Sequence, residues 1–250
     1  MALTYGTVWG DYGDEKVTST SEDLGLVIGT RMVLPDGRVF RYAFSNGAAG
    51  SGTGVQSSAA VGNHDSGLAV TQAQSVGDKS VSVTLGATAA AEDLYANGYL
   101  FFNTAAGSGQ VYRIKQHDAI GSAGTGTINL VDGDTIAEAL TTSSKAGLVA
   151  NPYMHVIPSP GGAQTGRTVG FATRDVADNA YFWAQTWGEA AVEADGTLVI
   201  FRPLRMSDGQ AGAVENYASQ TAREEQVVGF ATNILAADEH FQFAFLTIGP

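Results

Sequence analysis

The sequence predicts a mainly β protein: a β-sandwich or barrel C-terminal domain with a repeated hairpin, preceded by a smaller β module and an extended N-terminal arm. Three observations point there. Val169 to Gly188 reads VGFATRDVADNAYFWAQTWG, and Val228 to Gly249 reads VGFATNILAADEHFQFAFLTIG, so an apolar strand, a polar Ala-Asp stretch and an aromatic return occur twice. The returns alternate, with Phe241, Phe243 and Phe245 interleaved with Gln242, Ala244 and Leu246, the period of two that lays one row of side chains on one face of a sheet. The composition agrees: 32 glycines and 15% charged residues suit short strands and tight turns, while long amphipathic helices would need more Leu, Glu, Lys and Arg.

Met1 to Asp23 is polar, with Tyr5, Trp9 and Tyr12 spaced along it. It reads as an arm that orders against another surface, or as a frayed terminus. Leu24 to Asn46 completes a first segment, 1–46. In it Pro35-Asp36-Gly37 separates two strand-like runs, proline presetting φ and glycine taking the left-handed position of a hairpin turn. Gly47 to Gly67 is rich in Gly, Ser and Ala and reads as a linker or long loop. It lacks the Gly-Lys-Ser/Thr ending of a phosphate loop and the strand–glycine–helix context of a dinucleotide site.

Residues 68–151 read as a β module. Val81, Val83 and Leu85 alternate with polar residues, Tyr99 to Lys115 forms a hairpin around Gly107-Ser108-Gly109, and Thr127 to Val131 leads into Asp132-Gly133-Asp134. Ala89 to Leu94 and Ile136 to Leu140 are short helical candidates. Three prolines between Pro152 and Pro160 mark the start of the 152–250 domain, where Ala218 to Gln226 is the best helical turn.

Composition excludes several functions. The net charge is −12 with 13 scattered basic residues, which argues against nucleic acid as a partner. There is no cysteine, so disulfides and thiolate chemistry are out. No apolar run approaches membrane-span length and the start carries no secretory signal, so no membrane partner is expected and the chain is expected to remain in the cytosol or leave by lysis.

No catalytic, metal or cofactor constellation is read. His64, His117, His155 and His240 form no zinc-type pair, and His64-Asp65 and His117-Asp118 are expected in solvated turns. The acidic pairs Asp14-Glu15, Glu22-Asp23, Glu224-Glu225 and Asp238-Glu239 are expected in turns too. Asp132-Gly133-Asp134 lacks the remaining ligands of a calcium loop, and Gly107-Ser108-Gly109 lacks the spacing of a nucleophile elbow.

Two stretches resemble tailed-bacteriophage virion proteins. One is Gly29-Thr30 followed by Asp36-Gly37-Arg38-Val39-Phe40-Arg41-Tyr42, with Ile28 where a leucine is usual. The other is Tyr181-Phe182-Trp183-Ala184-Gln185-Thr186-Trp187-Gly188, then Asp195-Gly196-Thr197 and Val228-Gly229-Phe230-Ala231. The resemblance implies a non-enzymatic capsid decoration (cement) protein, assembled in the host cytoplasm, bound to the major capsid protein on the capsid surface as a homotrimer. It carries over no catalytic residue. Tyr5, Trp9, Tyr12, Arg38, Phe40, Arg41, Tyr42, Trp183 and Trp187 are the expected interface residues. The alternative is a tail or head-fibre component or a glycan-binding adhesin, which exposed Tyr181, Trp183 or Trp187 would favour and buried ones would not.

Overall fold

The computed structural model describes residues 6–20, 25–217, 226–233 and 241–250. Tyr5, His240, the acidic pairs at 22–23, 224–225 and 238–239, and the helical candidate over 218–225 lie outside these. The described residues form strands, with a 3-10 turn at Asp14–Lys16. They divide into two compact units: residues 6–58 together with 152–250, and Ala59–Asn151.

The first unit is built on a 12-stranded sheet. Its N-terminal strands are β1 (Thr7–Trp9), β2 (Thr18–Ser19), β3 (Arg31–Val33), β4 (Val39–Phe44) and β5 (Gly54–Gln56). The second unit supplies β6 (Leu68–Val70), β7 (Ser80–Thr84), β8 (Tyr99–Thr104), β9 (Val111–Gln116), β10 (Thr125–Leu130) and β11 (Lys145–Val149). The first unit then resumes with β12 (Ile157–Pro158), β13 (Thr168–Ala172), β14 (Tyr181–Glu193), β15 (Pro203–Met206), β16 (Val214–Asn216), β17 (Gly229–Ala231) and β18 (Phe241–Thr247).

The spine of the first unit is β14. Its first half pairs antiparallel with β4, and its second half with β18, from Trp187 opposite Thr247 to Glu193 opposite Phe241. Both VGFAT copies are hairpin strands, β13 against β14 and β17 against β18, and the β14–β18 ladder joins them in one sheet. Even-numbered side chains of these strands, Ala190, Val192, Ala244 and Leu246, pack with Leu198, Leu204, Met206 and Val214 in one core cluster. Ile28, Met32, Leu34, Phe40, Tyr42 and Trp183 form another. The Pro35-Asp36-Gly37 hairpin forms as the residues dictate. Gly37 sits at φ 85° and donates its N–H to the Leu34 carbonyl (2.9 Å), and Leu34 N–H bonds the Arg38 carbonyl (3.0 Å).

Two expectations for the N-terminal third are corrected. The described part of the arm, residues 6–20, belongs to the sheet: β1 runs parallel to β3, β2 pairs with β14, and Glu15 is buried at 3% exposure. The 47–67 stretch is no simple linker, because β5 lies within it, is buried along its length and pairs with β12 and β13. Small residues are needed there: a side chain on Gly54 would collide with Met206 and the Phe171 ring. The compact units therefore do not follow the expected divisions at 46/47 and 67/68.

The second unit is a closed barrel in the order β10-β7-β6-β11-β8-β9. Six strands enclose only enough space for side chains, here Val81, Val83, Leu100, Phe102, Tyr112, Ile114, Ile128 and their neighbours. The helical candidates at 89–94 and 136–140 are turns and bends instead, tied by single bridges between Ala90 and Ile120 and between Gln74 and Leu140. Neither is long enough to cover the cost of helix nucleation.

Candidate functional site: an aromatic cleft beside a β-bulge

The β14 ladder is interrupted once. Opposite β4 the register shifts between Gln185 and Trp187, so one extra residue is accommodated as a β-bulge. Gly188 follows at φ 91°, backbone that favours glycine. The buried side chain of Gln185 locks the bulge: its Nε2 donates to the Trp187 carbonyl at 3.2 Å and the Glu189 carbonyl at 2.8 Å. Arg38 lies directly over Gly188, where an added Cβ would stand 3.0 Å from Arg38 Cγ.

A cleft of about 610 Å³ opens over this bulge. Trp187, Phe243 and Phe245 line it on the β14–β18 face, and the Trp187 and Phe245 rings meet edge to face at 5.4 Å. Glu15, Lys16, Asp36, Arg38 and Thr173 line it from the 3-10 turn, the hairpin turn and the end of β13. Arg38 organises the polar wall. Its Nε bonds Asp36 Oδ2 at 2.7 Å, its NH2 lies 3.6 Å from Glu15 Oε1, and its guanidinium sits 5.7 Å from the Phe40 ring centroid. Burial works to raise the Asp36 carboxyl, but the Arg38 hydrogen bonds and charge outweigh it and hold the group below its usual value. Glu15 Oε2 accepts the Gly13 N–H at 2.7 Å.

The expected interface residues that the structure describes separate into four sets. Trp9 and Tyr12 are exposed, at 79% and 65%. Arg38 and Trp187 border the cleft. Phe40, Tyr42 and Trp183 are core residues at 0%, 1% and 4% exposure, a correction to the expectation that they face a partner. Tyr42 stacks on Tyr181 at 5.6 Å and contacts Trp183 at 5.1 Å. Arg41 is half-buried and donates to the Gly29 and Pro250 carbonyls. Sequence reasoning placed Glu15 in a turn as half of an acidic pair, where the structure buries it at 3% exposure, and gave no site role to Gln185, Gly188 or Glu189. A signal was present for the bulge: an isolated glycine inside a strand pattern, here after Trp187.

In the barrel, the histidine expectation is overturned. His64 and His117 are buried at 0% and 2%, while their neighbours Asp65 and Asp118 are exposed. Tyr95 joins the two histidines. Its hydroxyl meets His64 Nδ1 at 2.5 Å, and its backbone N–H donates to His117 Nε2 at 3.1 Å. The remaining nitrogens reach the Thr88 and Asp118 carbonyls, both at 2.8 Å, which fixes His117 as the Nδ1–H tautomer. This is a satisfied structural network. Asp132 pairs with Lys115 at 2.9 Å and Asp134 accepts the Arg113 N–H at 3.3 Å, so the Asp-Gly-Asp carboxylates have protein partners. Among the described residues no group of three His, Asp or Glu side chains is placed to hold a metal ion.

Comparison of the chain with protein-family models, with curated proteins and with solved structures gives no match in any of the three.

Proposed function

We propose that the chain is a non-enzymatic virion structural protein of a tailed bacteriophage. In this reading it binds the major capsid protein lattice at the capsid surface as a homotrimer, after assembly in the host cytoplasm, and stabilises the shell. The observation that carries the reading is Trp9 on β1. This strand pairs with β3 and has no strand on its other side among the described residues. Val8 turns inward while Thr7 and Trp9 point outward, so the edge presents an indole at 79% exposure, followed by Tyr12 at 65%. An open edge is a template for a strand from another chain, and Trp and Tyr are the side chains most enriched where interfaces concentrate their energy. The resemblance of the 28–42 and 181–188 stretches to phage virion proteins supports the same reading.

Self-association has its own candidate surface. Phe201 and Phe230 are exposed at 79% and 38%, and the Phe201 N–H donates to the Ala231 carbonyl at 2.9 Å, which brings the two close on the β17 side of the sheet.

The test is capsid stability. Particles lacking the protein are heated with and without it, and genome release is followed with a DNA-binding dye. Addition raises the release temperature, and a Trp9→Ala, Tyr12→Ala double variant does not. An unchanged release temperature at saturating wild-type protein overturns the stabilising role.

A further inference from the structure

We propose that the cleft over Gly188 is a binding site for a neutral carbohydrate, with Trp187 and Phe245 as its apolar wall and Glu189 and the Arg38–Asp36 pair as its hydrogen-bonding rim.

Size, shape and charge each narrow the ligand. A volume of about 610 Å³ lies in the range of small-molecule sites and fits one or two sugar rings. One wall is aromatic, with Trp187, Phe243 and Phe245 side by side across the β14–β18 ladder. A ring face carries negative quadrupole density, which suits the weakly positive C–H face of a pyranose. The other wall alternates acceptors and donors: Glu15, Lys16, Asp36 and Arg38.

Charge separates the candidates. A phosphate or sulfate would need an excess of uncommitted cations: Arg38 is already held by Asp36 at 2.7 Å and Glu15 at 3.6 Å, which leaves the exposed Lys16 ammonium facing a lining that also carries the Glu189 carboxylate. A cationic peptide would need uncommitted carboxylates, and two of the three acids here are those same Arg38 partners. The third, Glu189, is exposed and accepts the Thr232 hydroxyl at 3.2 Å. The charges nearly cancel, so the cleft offers many hydrogen-bonding atoms with little net field. A polyhydroxylated, uncharged ligand with an apolar face satisfies both walls.

The site is also pre-organised. Gln185, buried at 1%, fixes the Trp187 and Glu189 carbonyls that follow the bulge, and Gly188 lets Arg38 lie close over the backbone. Rigid placement of an aromatic wall removes ordering cost from binding. The residues involved are not Trp9 or Tyr12, so this inference and the capsid-attachment reading succeed or fail separately.

The full chain is screened on an array of neutral hexose and N-acetylhexosamine oligosaccharides together with sialylated and sulfated ones. The best neutral oligosaccharide is then titrated calorimetrically. The expected result is saturable one-site binding that weakens at least tenfold in Trp187→Ala and several-fold in Glu189→Gln. Glu189 is exposed, so its variant keeps the test valid if Trp187→Ala fails to fold. Absence of binding to every neutral glycan, binding confined to anionic glycans, or affinity unchanged in the folded variants overturns the proposal.

Discussion

The amide of Gln185 holds the Glu189 carbonyl at 2.8 Å, four residues along the same strand, with the bulge between them. This one side chain reconciles a broken ladder with a buried position. Without it, two carbonyls would face the interior where the β4 pairing is offset. Gln185→Ala is expected to destabilise the first unit by about 1–3 kcal/mol, the cost of leaving buried polar groups unpaired. Urea unfolding followed by tryptophan fluorescence measures it. A loss under ~0.5 kcal/mol would show that water takes the role of the amide.

Gly188→Ala tests the same device from the backbone side. At φ 91° a Cβ is strained, and it would press on Arg38 Cγ at 3.0 Å. The expected loss is about 1–3 kcal/mol, accompanied by displacement of Arg38. Equal stability of variant and wild type in thermal melts would mean the bulge relaxes to ordinary strand geometry.

Glu15 anchors the N-terminal segment. Removing its carboxylate takes an acceptor from Gly13 N–H and a partner from Arg38. Glu15→Ala is therefore expected to speed amide exchange over residues 7–19, while β14 and β18 keep their protection. Uniform loss of protection throughout the unit would contradict a local anchoring role.

Tyr95 sets the alkaline limit of the barrel. Burial first, and the Asp65 charge second, push its phenol up to about 12. The folded value lies above the unfolded value of about 10, so this stability is fully present below pH ~10 and is lost as pH rises through ~12. At its limit the loss is at most about 3 kcal/mol, before solvent screening reduces it. Ultraviolet titration of phenolate absorbance should show a tyrosine ionising near pH 12, and Tyr95→Phe should remove that late step. Persistence of the late step in Tyr95→Phe assigns it to another residue.

How far the sequence was legible depended on whether the deciding contact was local. The Pro35-Asp36-Gly37 turn was readable because proline and glycine set its dihedrals themselves. The VGFAT hairpins were readable because their alternation is written in adjacent residues. Gly54–Gln56 was not, because its Gly- and Ser-rich surroundings look flexible, and distant Met206 and Phe171 make the space for it. His64 and His117 read as turn residues because Tyr95, which draws both into the interior, is some 20 to 30 positions away. Trp183 and Trp187 would share a face under a strict period of two. The bulge between them breaks that rule, leaving Trp183 in the core and Trp187 at the cleft.

The central claim, attachment to a capsid lattice through the β1 edge, is tested most directly by co-sedimentation. Capsids lacking the protein are titrated with wild type and with the Trp9→Ala, Tyr12→Ala variant. Both side chains are exposed, so the variant should fold with stability within ~0.5 kcal/mol of wild type. The account predicts saturable binding of wild type at a fixed ratio to capsid subunits, and loss of pelleting by the variant. Wild-type protein that stays in the supernatant at every concentration, or a variant that pellets at the same ratio and affinity, would contradict it.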